Sequence, residues 1–485
     1  MKNYYDMVII GAGPAGLALA HCCSRLGISI LIIDKESAIG GCHRVIRTDQ
    51  GLFTEHSPRI YFENYVNVMY LMSEMGLRQE DVFIPYKYSL FDIISKLLPY
   101  ISWYDVIIFI FIHIVYFINI DYGHDISLET FCKQFGVSPK LTEKLDRICR
   151  FVDGADIRKY SVNKFLSLSN MVSQILQPNQ PLDTSLFKVW KEYLETKNID
   201  FALGQQVSNI HYNKHLHKID YVVIDNKYTV HLNRLVLAVP PVSISHILKK
   251  NPDIQNAFGD FHAFKDWSEK TEYNEYVSLT YHFKDNINLP EINGATIDTD
   301  WGIIVIVLSD YMKNIESGYQ SLLSIGISMP DNPSKFTGKT ANQCTQAEIF
   351  AEVYRQLRHT IYRDLPDDYH AVLNPTNYYR NNEWHSGDEA YFHTIGTDFL
   401  PYQSNNIKNL YNTGVQNGHS HSAYTTMESA VSNSMVLACQ LYPQLRPYYF
   451  LRRSTQLREW LLYGLIIICL IICLLYMAKN TSFGG

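Results

Sequence analysis

Three glycines near the amino terminus, Gly11, Gly13 and Gly16, follow the apolar run Met7-Val-Ile-Ile and open a segment rich in alanine and leucine. A strand, a glycine turn and a helix start, in that order, hold the pyrophosphate of a dinucleotide. The first glycine allows the tight turn. The second lets backbone approach phosphate, and the third lets helix lie close on strand. Pro14 and Ala15 would begin the helix, whose free N–H groups and dipole favour an anion. Asp34, followed by Lys35, closes the next apolar run about 20 residues on, where a carboxylate would take ribose hydroxyls. Beyond it stand Gly40 and Gly41. A nicotinamide dinucleotide does not need that pair; it permits backbone contact with the middle of a longer cofactor.

These residues need elements to position them. Residues 4–10 read as a strand, 14–27 as a helix and 28–34 as a strand, one βαβ opening. From about 65 to 185 the pattern is mostly helical, with helices over 66–75, 90–98, 106–120, 128–135 and 165–176. A helix over 185–197 leads into a strand-rich stretch, 201–239. Residues 275–330 alternate like an antiparallel sheet. Residues 347–362 are helical, and 405–442 give a strand and then a helix. A second GxGxxG is absent from the sequence, so a dedicated NADPH domain is not expected.

Composition sets outer bounds. The chain has 485 residues, 47% hydrophobic and 19% charged, enough for two or three domains with a large core. A net charge of -6 gives no basic surface for nucleic acid. Nine cysteines show no CxxC spacing and read as reduced thiols. Residues 460–478 form 19 positions without a charge. At about 28 Å of helix they approach a hydrocarbon core of about 30 Å. Arg446, Arg452, Arg453 and Arg458 precede them. This predicts a C-terminal transmembrane tail anchor with the catalytic part on the cytoplasmic side. A second apolar run, 106–120, is too short to span. It reads either as a buried core helix or as a segment dipping into one leaflet.

Further along come Ser57-Pro58-Arg59, the run from Leu235 to Pro240, Gly414, and Met427 to Ser432. In order and spacing, residues 1 to about 442 resemble the flavin-containing amine oxidase superfamily. That group includes protoporphyrinogen oxidases, phytoene-type desaturases and, more distantly, UDP-galactopyranose mutases. The resemblance implies non-covalent FAD. It implies ADP contacts from the first glycine motif and Asp34, and further cofactor contacts from Gly40, Gly41, Arg44, Pro58 and Arg59, the last near the flavin. Val207 would meet the adenine side. Gly414 would lie near the ring, and the helix starting at Thr426 and Met427 would aim its N-terminus at it. Covalent attachment at the usual late site is excluded, because no cysteine lies between Cys344 and Cys439. Several positions depart from the family. Val415 and Gln416 follow Gly414, Cys42 and His43 follow the double glycine, and Asn433 follows Ser432. The lysine that amine oxidases carry in the substrate domain has no counterpart in the stretch from Glu275 to Tyr281.

The fold class expected is therefore α/β, with a Rossmann-like FAD-binding domain, a discontinuous mixed α+β substrate domain and the C-terminal transmembrane helix. The FAD-binding domain takes 1–80, 190–245 and 400–442, and the substrate domain 81–189 and 246–399. A basic linker, 443–459, joins them to the anchor. Candidate catalytic residues are Arg59, His419, His421 and Tyr424, with Tyr61, Trp301, Trp384, His385 and Tyr391 as further substrate-side residues. No metal site is expected. The activity expected is hydride removal from an apolar or amine substrate by FAD, with dioxygen or a membrane acceptor taking the electrons. A non-redox, mutase-like flavoenzyme and a non-catalytic membrane-anchored relic of the fold remain as alternatives.

Overall fold

The computed structural model describes the chain except residues 88–94, 96, 169–172, 272–275, 290–297, 314, 316–317, 389, 421–424, 454–458 and 460–485. Strand β1 (Tyr4–Ile10), helix α1 (Pro14–Ser24) and strand β2 (Ile30–Asp34) realise the expected opening. A helical stretch follows with α2 (Val66–Glu74), α3 (Trp103–Ile118), α4 (Pro139–Asp153), α5 (Val162–Ser167) and α6 (Leu186–Glu195). Next come β3 (Ile199–Leu203), β4 (Val207–Asn213), β5 (Lys218–Ile224) and β6 (Tyr228–Leu237). The second half supplies β7 (Val277–Phe283), β8 (Ile303–Val307), β9 (Ser321–Ile327), β10 (His370–Leu373), β11 (Leu410–Asn412) and the closing helix α7 (Met427–Leu441).

Among the described residues the main sheet has the strand order β3-β2-β1-β6-β5-β4, with β11 against β6. The inner strands β3, β2, β1, β6 and β11 pair in parallel, while β5 and β4 form an antiparallel flap. Parallel strands covered on both faces carry unbroken apolar runs. Met7 and Ile9 accordingly join the core under α1 and α7, while Val8 and Ile10 join a second core on the other face. A separate antiparallel sheet has the order β8-β9-β7-β10. Three of its strands fall within the stretch 275–330 read as an antiparallel sheet, though all three are buried throughout.

Two elements differ from their sequence patterns. The helix expected over 165–176 ends as α5 at Ser167, and Ile175–Pro178 is a strand. That strand sits between Tyr61–Phe62 and Phe83–Pro85. A short apolar run has no period of its own, and its strand partners decided the matter. The run at 106–120 became α3, neither fully buried nor loose. Asp105, Ile108, Ile112 and Tyr116 are buried, whereas Val106, Ile107, Ile110, Phe111, Ile114 and Ile118 are exposed. The helix expected over 90–98 falls largely outside the described residues.

The membrane expectations are corrected. No helix among the described residues is long and apolar enough to cross a membrane. The most apolar of them, α3, has 16 residues, about 24 Å, and one face is fixed to the core. Residues 460–478, on which the anchor reading fell, lie outside the described residues. The transmembrane part of the fold class, the tail anchor, the bilayer as partner and the membrane localisation are withdrawn.

One long-range cap joins the two ends of the chain. Helix α2 has no side-chain cap of its own. Instead Glu428 of α7 accepts from Asn67 N (3.2 Å) and Val68 N (3.0 Å), and from Asn67 Nδ2 (2.6 Å). The carboxylate so does the work of a capping side chain 361 residues away. Burial pushes its pKa up to about 7, although the Val68 and Asn67 donors pull the other way. The folded state then keeps a proton that the unfolded chain releases near 4.5. Its contribution is full below that value and is lost as pH rises toward 7. Glu428→Gln, which cannot ionise, flattens this fall by up to about 1.4 kcal/mol per pH unit. Denaturant melts at several pH values between 5 and 7 check it; an unchanged slope refutes it.

Candidate functional site

The strand register brings the site together. Ile10 of β1 lies opposite both Ile33 of β2 and Leu237 of β6, and Leu237 lies opposite Asn412 of β11. The chain therefore leaves all four strands at one edge. Gly11 N donates to Ile33 O (2.8 Å), Ala238 N to Ile10 O (2.7 Å) and Thr413 N to Leu237 O (3.0 Å). Ligands of open α/β sheets bind outside such carboxyl ends. A cavity of about 890 Å³ opens there.

Its first half is backbone. A Cβ on Gly16 would meet Gly11 O at 2.0 Å, so only glycine lets α1 rise directly off β1. Helix α1 has Pro14 at its first position and no side-chain cap, which leaves its N–H donors for a ligand. Across the opening, Gly13 faces Gly41. A Cβ on Gly41 would come within 3.0 Å of Gly13 Cα, so the two glycines form a cradle that side chains would fill. Gly11, Gly13, Pro14, Ala15, Asp34, Lys35, Gly41, Arg44, Pro58, Arg59, Val207, Gly414 and Thr426 all line the cavity. Gly16, Gly40 and Met427 stand behind it. Asp34 is more committed than its sequence position implied: its oxygens accept from Ala12 N (2.7 Å) and Glu36 N (2.9 Å). Thr426 caps α7 by accepting from Ser429 N (3.1 Å), which points that helix start at the cavity.

The middle is a buried ion cluster. Arg44 is 6% exposed and pairs with Asp388 (2.7 Å) and more loosely with Glu36 (3.4 Å). His56 approaches the other oxygen of Asp388 at 3.5 Å. Burial alone would push the Asp388 carboxyl up, but His56 and Arg44 hold it well below the carboxylate range. Burial drives His56 the opposite way for a base, below its ordinary value, against the pull of Asp388. Arg59 donates through Nη2 to Cys42 O, while its Nε has no hydrogen-bond partner among the described residues. An uncoupled donor of that kind fits an acceptor-rich cofactor edge.

The far half is aromatic and closed by a second ion pair. Tyr65, Phe151, Tyr276, Ile304 and Tyr391 line it with Asp153 and Thr425. Asp153 pairs with Lys164, and both side chains are almost wholly buried. Burial depresses the Lys164 ammonium, and Asp153 opposes the shift. Thr425 N donates to Asp153 Oδ1 (3.3 Å), and Thr425 Oγ1 to Tyr391 O.

Other candidates lie elsewhere. Tyr61 is buried beside the cavity with its hydroxyl 3.1 Å from His43 Nδ1. Trp301 is buried in the core of the second sheet. Trp384 and His385 occupy a small hairpin, where Trp384 Nε1 donates to Cys344 O (3.1 Å). His419 does not line the cavity; its Nδ1 meets Asn417 O at 2.9 Å. His421 and Tyr424 lie outside the described residues. The sequence reading missed Asp388, His56, Asp153, Lys164 and Tyr276. Asp153 carried one faint signal, since it directly precedes Gly154, the left-handed C-cap of α4. No metal-binding group of three or more ligands occurs among the described residues.

Comparison with known proteins agrees with this geometry. Residues 9–75 match the NAD(P)-binding Rossmann-like domain family. A UDP-galactopyranose mutase of Mycoplasma pneumoniae is 32% identical over 69 residues, 14% of this chain and 17% of that enzyme. The chain thus spans under a fifth of the length of that relative. Among solved structures, an oxidoreductase from Methanosarcina mazei superposes with a TM-score of 0.60 at 13% identity, covering 89% of this chain and 99% of the other. Putrescine oxidase, solved with putrescine bound, gives 0.59 at 12% identity, covering 91% and 99%. The resemblance read from the sequence therefore stands: the chain has the fold of the flavin-containing amine oxidases, built on an amino-terminal dinucleotide-binding Rossmann domain.

Proposed function

We propose that this protein binds FAD without a covalent link and oxidises an apolar or amine substrate. The observation that carries the reading is a single cavity running from the glycine cradle at Gly13 and Gly41 to the aromatic wall at Tyr276 and Tyr391. It offers one end to a pyrophosphate and the other to an organic substrate. Bound FAD would supply the hydride acceptor.

The chain's own residues do the rest. The uncapped start of α1 binds the pyrophosphate. Asp34 and Lys35 stand at the ribose end and Val207 at the adenine end. Arg44, fixed by Asp388, and Arg59 line the middle, with Gly414 and Pro58 holding the backbone close. The start of α7 at Thr426 presents a partial positive charge where negative charge develops on reduction. Tyr276, Phe151, Ile304 and Tyr391 exclude water and orient the reacting C–H bond. Dioxygen serves as acceptor. A likeness covering 17% of the mutase is too short to transfer its reaction.

The test is spectroscopic. The purified full chain is expected to be yellow, or to become so with added FAD, and to bleach when primary amines or unsaturated apolar compounds are added without oxygen. Protein that stays colourless with excess FAD overturns the proposal. A yellow protein bleached by none of them overturns the oxidative half.

A local variant gives a sharper measurement. A Cβ on Gly13 would meet Gly41 Cα at 3.6 Å, ordinary contact, and its φ of -76° suits alanine. Gly13→Ala should therefore fold like the parent, with a methyl group standing in the pyrophosphate path. FAD affinity, by fluorescence titration, is expected to fall about tenfold or more, roughly 1.4 kcal/mol. Unchanged affinity would remove the pyrophosphate from the cradle.

A further inference from the structure

One hydrogen-bonded chain leaves the aromatic end of the cavity and reaches solvent. Tyr391 lines the cavity and is 3% exposed. Its hydroxyl lies 3.1 Å from His393 Nδ1. The other nitrogen of that ring, Nε2, lies 3.2 Å from His124 Nε2. His124 Nδ1 lies 3.4 Å from Asp125 Oδ1, and those two side chains are 41% and 82% exposed. The path joins two segments 269 residues apart. Neither the proposed cofactor contacts nor the packing of the wall requires it.

Each member is held in place. The His393 ring stacks on Phe399 with centroids 4.2 Å apart. Phe392 N donates to Thr271 O (2.7 Å), and Thr394 Oγ1 to Lys159 O (3.2 Å), which fixes the chain on both sides of His393. The turn bearing His124 is pinned by Asn163, whose N donates to Gly123 O and whose Nδ2 donates to Tyr122 O, both at 3.2 Å. Burial, and after it the charge of Lys164, holds His393 down to about 3, so its imidazole is neutral at physiological pH. A neutral imidazole donates through one nitrogen and accepts through the other, as a relay requires. Lys164, the nearest buried cation, is occupied by Asp153.

We propose that Tyr391, His393, His124 and Asp125 form a proton relay between the substrate end of the cavity and solvent. The proposal rests on the oxidative reading above. In that reaction the substrate gives two electrons and one hydrogen to FAD as hydride. It must also lose one proton, from nitrogen in an amine or from a neighbouring carbon in a desaturation. Tyr391 Oη takes that proton while passing its own to His393 Nδ1. His393 Nε2–H passes to His124 Nε2, and His124 Nδ1–H passes to Asp125 or water. One proton enters and one leaves, and no charge stays in the wall. Both rings end in the opposite tautomer; the one proton that dioxygen takes up on becoming hydrogen peroxide re-enters along the same path and restores them. Tyr391 touches substrate and is the catalytic member; the histidines act through it.

Two measurements on the full chain test this, one of which needs no turnover. In protein labelled with ¹⁵N-histidine, imidazole resonances are assigned by His393→Gln and His124→Gln. Tyr391→Phe is expected to move the His393 Nδ1 resonance and, through it, the His124 Nε2 resonance. Unmoved His124 resonances overturn the relay whether or not FAD binds.

In FAD-loaded protein, a pH indicator follows proton release beside flavin bleaching. His124→Gly is expected to slow release on the order of 100-fold, and millimolar imidazole to restore it. A merely structural role for His124 would give no rescue. Release that keeps pace with bleaching in His124→Gly, or slow release that imidazole leaves slow, overturns the relay while the oxidative reading stands. Failure to bind FAD overturns the oxidative reading instead and leaves the ¹⁵N result to decide whether the four groups are coupled.

Discussion

The parallel register of β1, β2, β6 and β11 is the constraint on which the molecule turns. Side chains can drift by an ångström and be repacked. A strand that slips one residue turns every side chain to the other face. Met7 and Ile9 belong to one core and Val8 and Ile10 to another, so a slip would ruin both. The apolar alternation thereby fixes where four chain exits emerge. Those exits carry Gly11, Asp34, Ala238 and Gly414 into one cavity. The site is a consequence of burial in the sheet rather than of any contact within the site.

A second tier of long-range interactions closes the cavity. Glu428 caps α2 from the far end of the chain, and Asp388 holds Arg44 from 344 positions away. Both place charge-bearing groups in surroundings that oppose ionisation, and both meet that opposition with several partners. Breaking the Arg44–Asp388 pair on one side leaves a buried charge alone, which costs about 3–5 kcal/mol. Interactions of this kind add little net stability, yet they specify which segments face one another.

That division explains what could be read in advance. The dinucleotide half is encoded locally, with Gly11, Gly13, Gly16 and Asp34 inside one βαβ unit. Turn chemistry and spacing were enough to recognise it. The other half of the cavity is assembled from α4, α5, the loop after β10 and the residues before α7. Asp153 and Lys164 look like ordinary members of two polar helices until the fold apposes them. His56 and Asp388 carry no mutual signal in sequence. The strand at Ile175–Pro178 was hidden for the same reason, since its identity depends on partners at 61–62 and 83–85. Hydrophobicity misled in another way: at 106–120 it marked a helix with one buried face and one exposed face.

The departures from the family motif take on a structural meaning in this setting. Asn433, where a small residue is usual, accepts from Tyr402 Oη (2.8 Å) and His419 N (2.9 Å) and donates to Ser429 O (2.8 Å). Asn417, just past the altered Val415 and Gln416, accepts from Gly414 N (2.9 Å) and donates to Leu400 O (2.8 Å). Buried amides left without partners would cost stability, and here their partners are supplied. Asn433 ties α7 to the loop at His419, and Asn417 ties Gly414 to Leu400. The same loop carries Thr425, which binds Asp153 and Tyr391, and so couples the start of α7 to the wall where substrate would lie. The altered motif therefore builds the back of the cavity around side-chain hydrogen bonds.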